Sequence, residues 1–136
     1  EITTEANENV SILDYEMSRV ASQIKAQIKE QDPVLYKRIT ENPTSDSTLV
    51  VNITFTRYEK GSACLRFALA GLGQIHIDAI VTLVDKESGK VLSKHEVTKT
   101  FAWGGYYGGT TGIEDVEPAF AEAVASVLTK KELKSE

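Results

Sequence analysis

The sequence predicts an α+β fold: a two-layer sandwich in which an antiparallel meander of about three to four strands carries helices from the N- and C-terminal ends on one face. Three observations predict it. Apolar residues near the start recur at helical spacing, the middle of the chain switches to a period of two, and the last stretch returns to helical spacing. At 136 residues the chain fits one domain, and a chain of that size buries roughly two-thirds of its unfolded surface, enough for a core without disulfide or metal.

Residues 1–10 read as a flexible tether and 11–136 as the single domain, because Glu1 to Asn9 are polar and acidic without periodicity. Leu13, Met17, Val20, Ile24 and Ile28 then line one face of a helix. Ser11 followed by Asp14 resembles a capping box and places the start near Ser11, with a short strand over Val10 to Leu13 as the competing reading. The helix should stop near Gln31, where Asp32-Pro33 reads as a fresh N-cap with proline in the first turn of a short second helix, Pro33 to Ile39. Asn42 to Ser47 is a polar, turn-rich connector.

From Leu49 the alternation of Leu49, Val51, Ile53 and Phe55 against Val50, Asn52, Thr54 and Thr56 marks a half-buried strand. Asn52-Ile53-Thr54 matches a glycosylation sequon, but inside a strand it lacks the exposed loop that the modification needs. A second strand sets Ile75, Ile77, Ala79, Val81 and Leu83 on one face, and a third sets Val91, His95, Val97, Phe101 and Trp103 on one face. Keeping both apolar sets on one side requires a three-residue loop of Glu87, Ser88 and Gly89, with the glycine left-handed; a four-residue loop would set Val81 beside Lys94. The final helix spans about Val116 to Lys131, with Asp115 as its N-cap, Val116, Phe120, Val124, Val127 and Leu128 inward, and Glu117, Glu122 and Lys130 outward.

The charge of −5 is spread over 20 acidic and 15 scattered basic residues, so the footprint of a nucleic-acid binder is missing. No run reaches the ~18 apolar residues that span a bilayer. The lone cysteine, Cys64, excludes an intrachain disulfide and reads as a small buried hydrophobe. The chain starts at Glu1 without an initiator methionine, as either a mature, processed protein or a trimmed chain would.

The residues tested for chemistry do not assemble. In the register above His95 points to the core side and His76 to the solvated face, so they share neither metal nor proton path. His95-Glu96 begins like the zinc-protease motif, yet the fifth residue is Lys99 and the segment is a strand. Gly71-Leu72-Gly73 lacks the third glycine of a dinucleotide loop and leads into a strand. Asp78 and Glu96 lie on the outer face, where solvent should keep their pKa values near normal. The expectation is a protein that is not an enzyme and has no catalytic residues, metal or cofactor.

Two segments stand apart. Gly61 to Gly73, GSACLRFALAGLG, has Arg66 as its only charge and must make a helical turn or an excursion hinged on its glycines. Leu65, Phe67 and Leu69 either fold back as core cover or, with Arg66 and Leu72, form an apolar contact surface. Trp103 to Gly112, WGGYYGGTTG, combines five glycines with three aromatics. Trp103 and one tyrosine either cap the core, or Trp103, Tyr106 and Tyr107 offer stacking surface to a sugar, a peptide or another subunit.

Arg-Phe-x-Leu-x-Gly-x-Gly at 66–73, the turn Asp85-x-x-Ser-Gly-x-Val-Leu, and a glycine-rich loop before an alanine-rich helix resemble the uncharacterised bacterial envelope proteins of domain-of-unknown-function family 4410, over Leu49 to about Leu128. The resemblance implies an exported protein, often a lipoprotein, in the periplasm or at the outer membrane, with a leader absent from this chain and membrane contact only through a lipid anchor. It implies no activity and carries no catalytic residue over. The function expected is a non-catalytic envelope accessory domain that binds another envelope protein or itself through loops 61–73 and 103–112; the alternative is a small-ligand or glycan-binding module using the second loop.

Overall fold

The computed structural model describes residues 1–40, 49–62, 73–101 and 112–134, with side chains described through Thr129. In chain order these residues form β1 (Ile2–Ala6), α1 (Asp14–Gln31), α2 (Pro33–Thr40), β2 (Leu49–Glu59), β3 (Ile75–Asp85), β4 (Val91–Phe101) and α3 (Ile113–Lys134). The strands form one sheet in the order β1-β2-β3-β4. The α+β class stands, and β2, β3 and β4 are the expected antiparallel meander.

The tether expected at residues 1–10 is replaced in part by a strand. β1 pairs parallel with β2, Ile2 beside Val51 and Ala6 beside Phe55, so the sheet is mixed. Ile2, Thr4 and Ala6 turn to the half-buried side, while Thr3 and Glu5 stay exposed. On the outer face the Thr3 hydroxyl donates to Asn52 Oδ1, and the Thr54 hydroxyl donates to Glu5 at 3.1 Å. Two apolar residues at alternate positions in a run of five are too few to announce a strand by periodicity.

α1 begins two to three residues later than expected. Its N-cap is Leu13, not Ser11, and Glu16 rather than Asp14 reaches back, accepting the Leu13 N–H at 2.8 Å. α3 begins the same way, earlier than expected: Asp115 is its third residue and its carboxylate accepts the Gly112 N–H at 2.8 Å. Neither Leu13 nor Gly112 has a side-chain acceptor, so the side-chain part of each cap is the returning carboxylate, which also suits the positive end of the helix dipole. The earlier start leaves Pro118 inside α3. Asp32 caps α2 as predicted, its Oδ1 accepting the Leu35 N–H at 3.1 Å.

The inner face of the sheet is the predicted one: Leu49, Val51, Ile53 and Phe55 of β2 and Ile75, Ile77, Ala79, Val81 and Leu83 of β3 are all buried. Val81 sits opposite His95 and Ala79 opposite Val97, the register that the three-residue loop requires, and Gly89 is left-handed at φ 74°. A register shift next to Val84 turns Val91 to solvent, where it is 54% exposed, and packs Leu92 against the core instead. A second shift, at Phe55/Arg57, prolongs β2 and swings Tyr58 inward.

α1 and α3 lie side by side and run in the same direction. Arg19 meets Glu117 near their starts and the Ser126 hydroxyl donates to Gln31 Oε1 at 3.1 Å near the end of α1. Val20, Ile24 and Ile28 of α1 and Val116, Phe120, Val124 and Leu128 of α3 close the core, with the Phe55 and Phe120 rings 6.2 Å apart. Glu117 is not outward: it is fully buried.

Candidate functional site

The sheet has two unlike ends. At one, β2 finishes, β3 begins and β4 finishes, since Glu59 pairs with His76 and Ile75 with Phe101. Residues 63–72 and 102–111 both depart from this end. The first departs through a closed neck, where the Ser62 N–H donates to the Gly73 carbonyl at 3.0 Å and Gly61 and Gly73 are left-handed at φ 69° and 66°.

A charged network is buried directly behind these departures. Arg19 Nε and Nη2 each donate to one oxygen of Glu117 at 2.8 Å, a bidentate pair. The Tyr58 hydroxyl donates to Glu117 Oε2 at 2.8 Å, and Gln23 Nε2 to Oε1 at 3.4 Å. Burial, then the bond to Glu117, pushes the Tyr58 hydroxyl well above its ordinary pKa, so it stays a donor. The bond to Glu117 likewise raises Arg19. The Tyr15 ring flanks this guanidinium, 5.7 Å from ring centre to Cζ.

Glu16 extends the network to the end of β2 by a 3.0 Å ion pair with Lys60. Its burial favours protonation, but the Leu13 N–H and Lys60 outweigh this and hold the carboxyl below its usual range. With both oxygens of Glu117 engaged by donors, this is a fastening between α1, β2 and α3, and not a poised base. Sequence reasoning missed it. The available signal was that Glu117 falls within the stripe of Ile113, Val116, Phe120 and Val124, at a position that an outward residue would not occupy.

Other candidates fall apart or shift. His76 and His95 lie on opposite faces as expected, but His76 is not solvated: it is 9% exposed, its Nδ1 3.1 Å from the Thr100 hydroxyl. Asp78 does not keep a normal pKa, because burial raises it, against the opposing pull of Arg57 and His76. Among the described residues no group of three His, Cys, Asp or Glu is placed to hold a metal ion, and no helix is long and apolar enough to cross a membrane. A cavity of about 400 Å³ runs between Asn9–Ser11 and the Thr56–Glu59 stretch of β2, beyond the point where β1 stops. Arg66, Phe67, Leu69, Leu72, Trp103, Tyr106 and Tyr107 all lie outside the described residues, as do Cys64 and the 42–47 connector.

Compared with known families, the sequence matches the model of the domain of unknown function DUF4410 over residues 4–105. The chain belongs to this family. The match takes in the second half of β1 and all of α1, which the motif resemblance did not reach, and stops short of α3. No curated protein matches this family member. Among solved structures it is similar to PelC from Paraburkholderia phytofirmans, solved as a dodecamer, at 14% identity and a TM-score of 0.56, covering 92% of this chain and 86% of that one. A DUF330 protein from Xanthomonas campestris is similar at 12% identity and a TM-score of 0.58, with 99% and 87% covered. A Caulobacter crescentus protein designated a lipoprotein overlaps more loosely, at 15% identity, a TM-score of 0.47 and coverage of 96% and 86%. The PelC and DUF330 likenesses show a shared fold.

Proposed function

We propose that this family member is a non-catalytic domain of the bacterial cell envelope that works by association, presenting loops 61–73 and 103–112 to a second copy of itself or to another envelope protein. The observation that carries this reading is the placement of the buried network. Arg19, Tyr58 and Glu117 fix the starts of α1 and α3 to the end of β2, and both loops leave from that same end. A site that reacts needs a group free to accept or donate; this one uses its charges to hold a platform rigid. The loops' sequences supply what a platform would present, four large apolar or cationic residues in Arg66, Phe67, Leu69 and Leu72 and three aromatics in Trp103, Tyr106 and Tyr107. PelC, with a similar fold, assembles as a dodecamer, which supports self-association here.

Light scattering coupled to gel filtration across a range of concentrations tests this on the chain and its Leu69→Asp variant. Association that the variant reduces while circular dichroism stays native is the expected result. If Leu69→Asp leaves the mass unchanged, and Tyr106→Ala and Tyr107→Ala instead abolish binding to polysaccharide at constant mass, the domain is a glycan-binding module and the proposal falls.

A further inference from the structure

β4 forms a boundary of the sheet apart from the loop end. β4 is the last strand of the sheet, eleven residues long without glycine or proline, and no described element lies beyond it. The hydrogen-bonding phase of its free edge follows from the opposite side of the sheet. Val51 N–H donates to the Glu1 carbonyl, so odd-numbered residues of β2 bond towards β1 and the even-numbered ones towards β3. Val50, Asn52 and Thr54 face Val84, Thr82 and Ile80, which leaves the odd-numbered residues of β3 to bond β4. Their partners Ser93, His95 and Val97 therefore spend their amides on β3, and Lys94, Glu96 and Thr98 point theirs outward.

Lys94 and Glu96 are also exposed, on the outer face. Charges on an edge strand commonly keep sheets apart. Here the signs alternate at the two bonding positions, and this makes the edge selective. In an antiparallel pairing of β4 with β4 of a second copy, centred on His95, each Lys94 stands opposite the Glu96 of the other copy. Both residues lie in the bonding phase, so two opposite-charge pairs and a closed ring of backbone bonds form together. Sliding the copies by one step centres the pairing on Lys94 and opposes the two lysines; sliding the other way opposes the two glutamates. One register is attractive and its neighbours with the same facing are repulsive. The two-fold axis stands perpendicular to the sheet, so both copies keep their helices on the same side of a continuous eight-stranded sheet.

We propose that β4 is a self-association edge, whose occupant is β4 of a second copy in the register that sets Lys94 against Glu96. This deepens the proposed function and rests on its self-association arm, adding a two-fold contact to the one made by the loops. A two-fold contact and a second, different contact together suffice to build closed assemblies larger than a dimer.

Charge reversal tests the register by sedimentation or light scattering over a concentration series at low salt. Lys94→Glu and Glu96→Lys each place like charges opposite one another twice, and each should weaken association by about tenfold or more. The doubly swapped Lys94→Glu/Glu96→Lys chain restores the opposite-charge pairs with the signs exchanged and should recover association. Both positions are exposed, so circular dichroism should stay native in all three. An assembly indifferent to the single reversals, or one that the double swap fails to restore, overturns the β4 contact and leaves association through the loops standing. A monomer at every concentration removes self-association altogether, and this inference with it.

Discussion

The two ends of the sheet are held together by opposite means. At the turn end the β3–β4 connection organises itself: the Asp85 N–H donates to the Lys90 carbonyl at 2.9 Å, the Gly89 N–H to the Asp85 carbonyl at 2.8 Å, and the Glu87 N–H to the Asp85 carboxylate at 3.0 Å. Every one of these partners lies within five residues, and the exposed Lys86–Glu1 ion pair at 3.6 Å is a looser tie from farther along the chain. At the loop end the decisive bonds run from Arg19 to Glu117 and from Tyr58 to Glu117, 98 and 59 residues apart in sequence. A short connection has little closure entropy to overcome and needs only local bonds. Where connections are long, elements remote in the chain must be tied directly, and a buried bidentate ion pair does this with fixed geometry. The contrast separates an end closed by local bonds from an end tied across the chain.

Breaking the long-range tie should have the largest effect. Glu117→Gln leaves the Arg19 guanidinium without its counter-charge, and the loss should approach about 3 kcal/mol by chemical denaturation, the lower part of the range for a broken buried pair, because Arg19 keeps 31% side-chain exposure. Replacing both partners, as Arg19→Met with Glu117→Leu, should recover most of that stability. A double variant less stable than Glu117→Gln alone would mean that the network does more than neutralise its own charges. Tyr58→Phe removes one charge-assisted bond and keeps the ring against Phe55, so it should cost about 1.5 kcal/mol.

The inner face of the sheet was legible because its pattern is local. Leu49 to Phe55 and Ile75 to Leu83 alternate without interruption, and the β3–β4 register followed from requiring Val81 and His95 to share a side. The residues that escaped depend on irregularity or on partners far away. Tyr58 becomes a core residue only because the register shift after Phe55 changes the phase of β2. Val91 and Leu92 exchange sides through the shift beside Val84. Glu117 falls by period within the apolar stripe of α3, but its charge argues for solvent unless Arg19 and Tyr58 are known to wait for it. β1 finds its partner about fifty positions along the chain, across two helices, and nothing in its five residues names that partner. Of the candidate site, the end of the sheet from which residues 63–72 and 102–111 depart followed from the strand pattern, and the fastening at that end did not.

The turn end should respond more weakly. Gly89 sits at φ 74°, and a Cβ placed there meets no atom within 4 Å. Gly89→Ala therefore adds only the left-handed backbone cost, about 1 kcal/mol. That loss should be additive with Tyr58→Phe, because the two sites share no partner. A coupling between them in a double-mutant cycle would show that the two ends are not independent.

The smallest effect expected has the opposite sign. On the outer face, between the two ends, Asp78 Oδ1 is buried without a hydrogen-bond partner among the described residues. Burial raises its pKa, with Glu96 and Glu59 adding to the shift while Arg57 and His76 oppose it. At neutral pH the carboxylate is charged in both the folded and the unfolded chain, and folding bears the desolvation cost. As pH falls through the raised folded pKa, the folded state takes up the proton first and the cost fades; below the ordinary aspartate value of 3.8 it is gone. Asp78→Asn should therefore raise stability at pH 7 by less than about 1 kcal/mol, and the gap between variant and parent should close as the solution is acidified. A gap that stays constant down to about pH 3, below the unfolded aspartate pKa, would mean that the substituted amide gains by packing or hydrogen bonding and that the charge at this position costs the fold nothing.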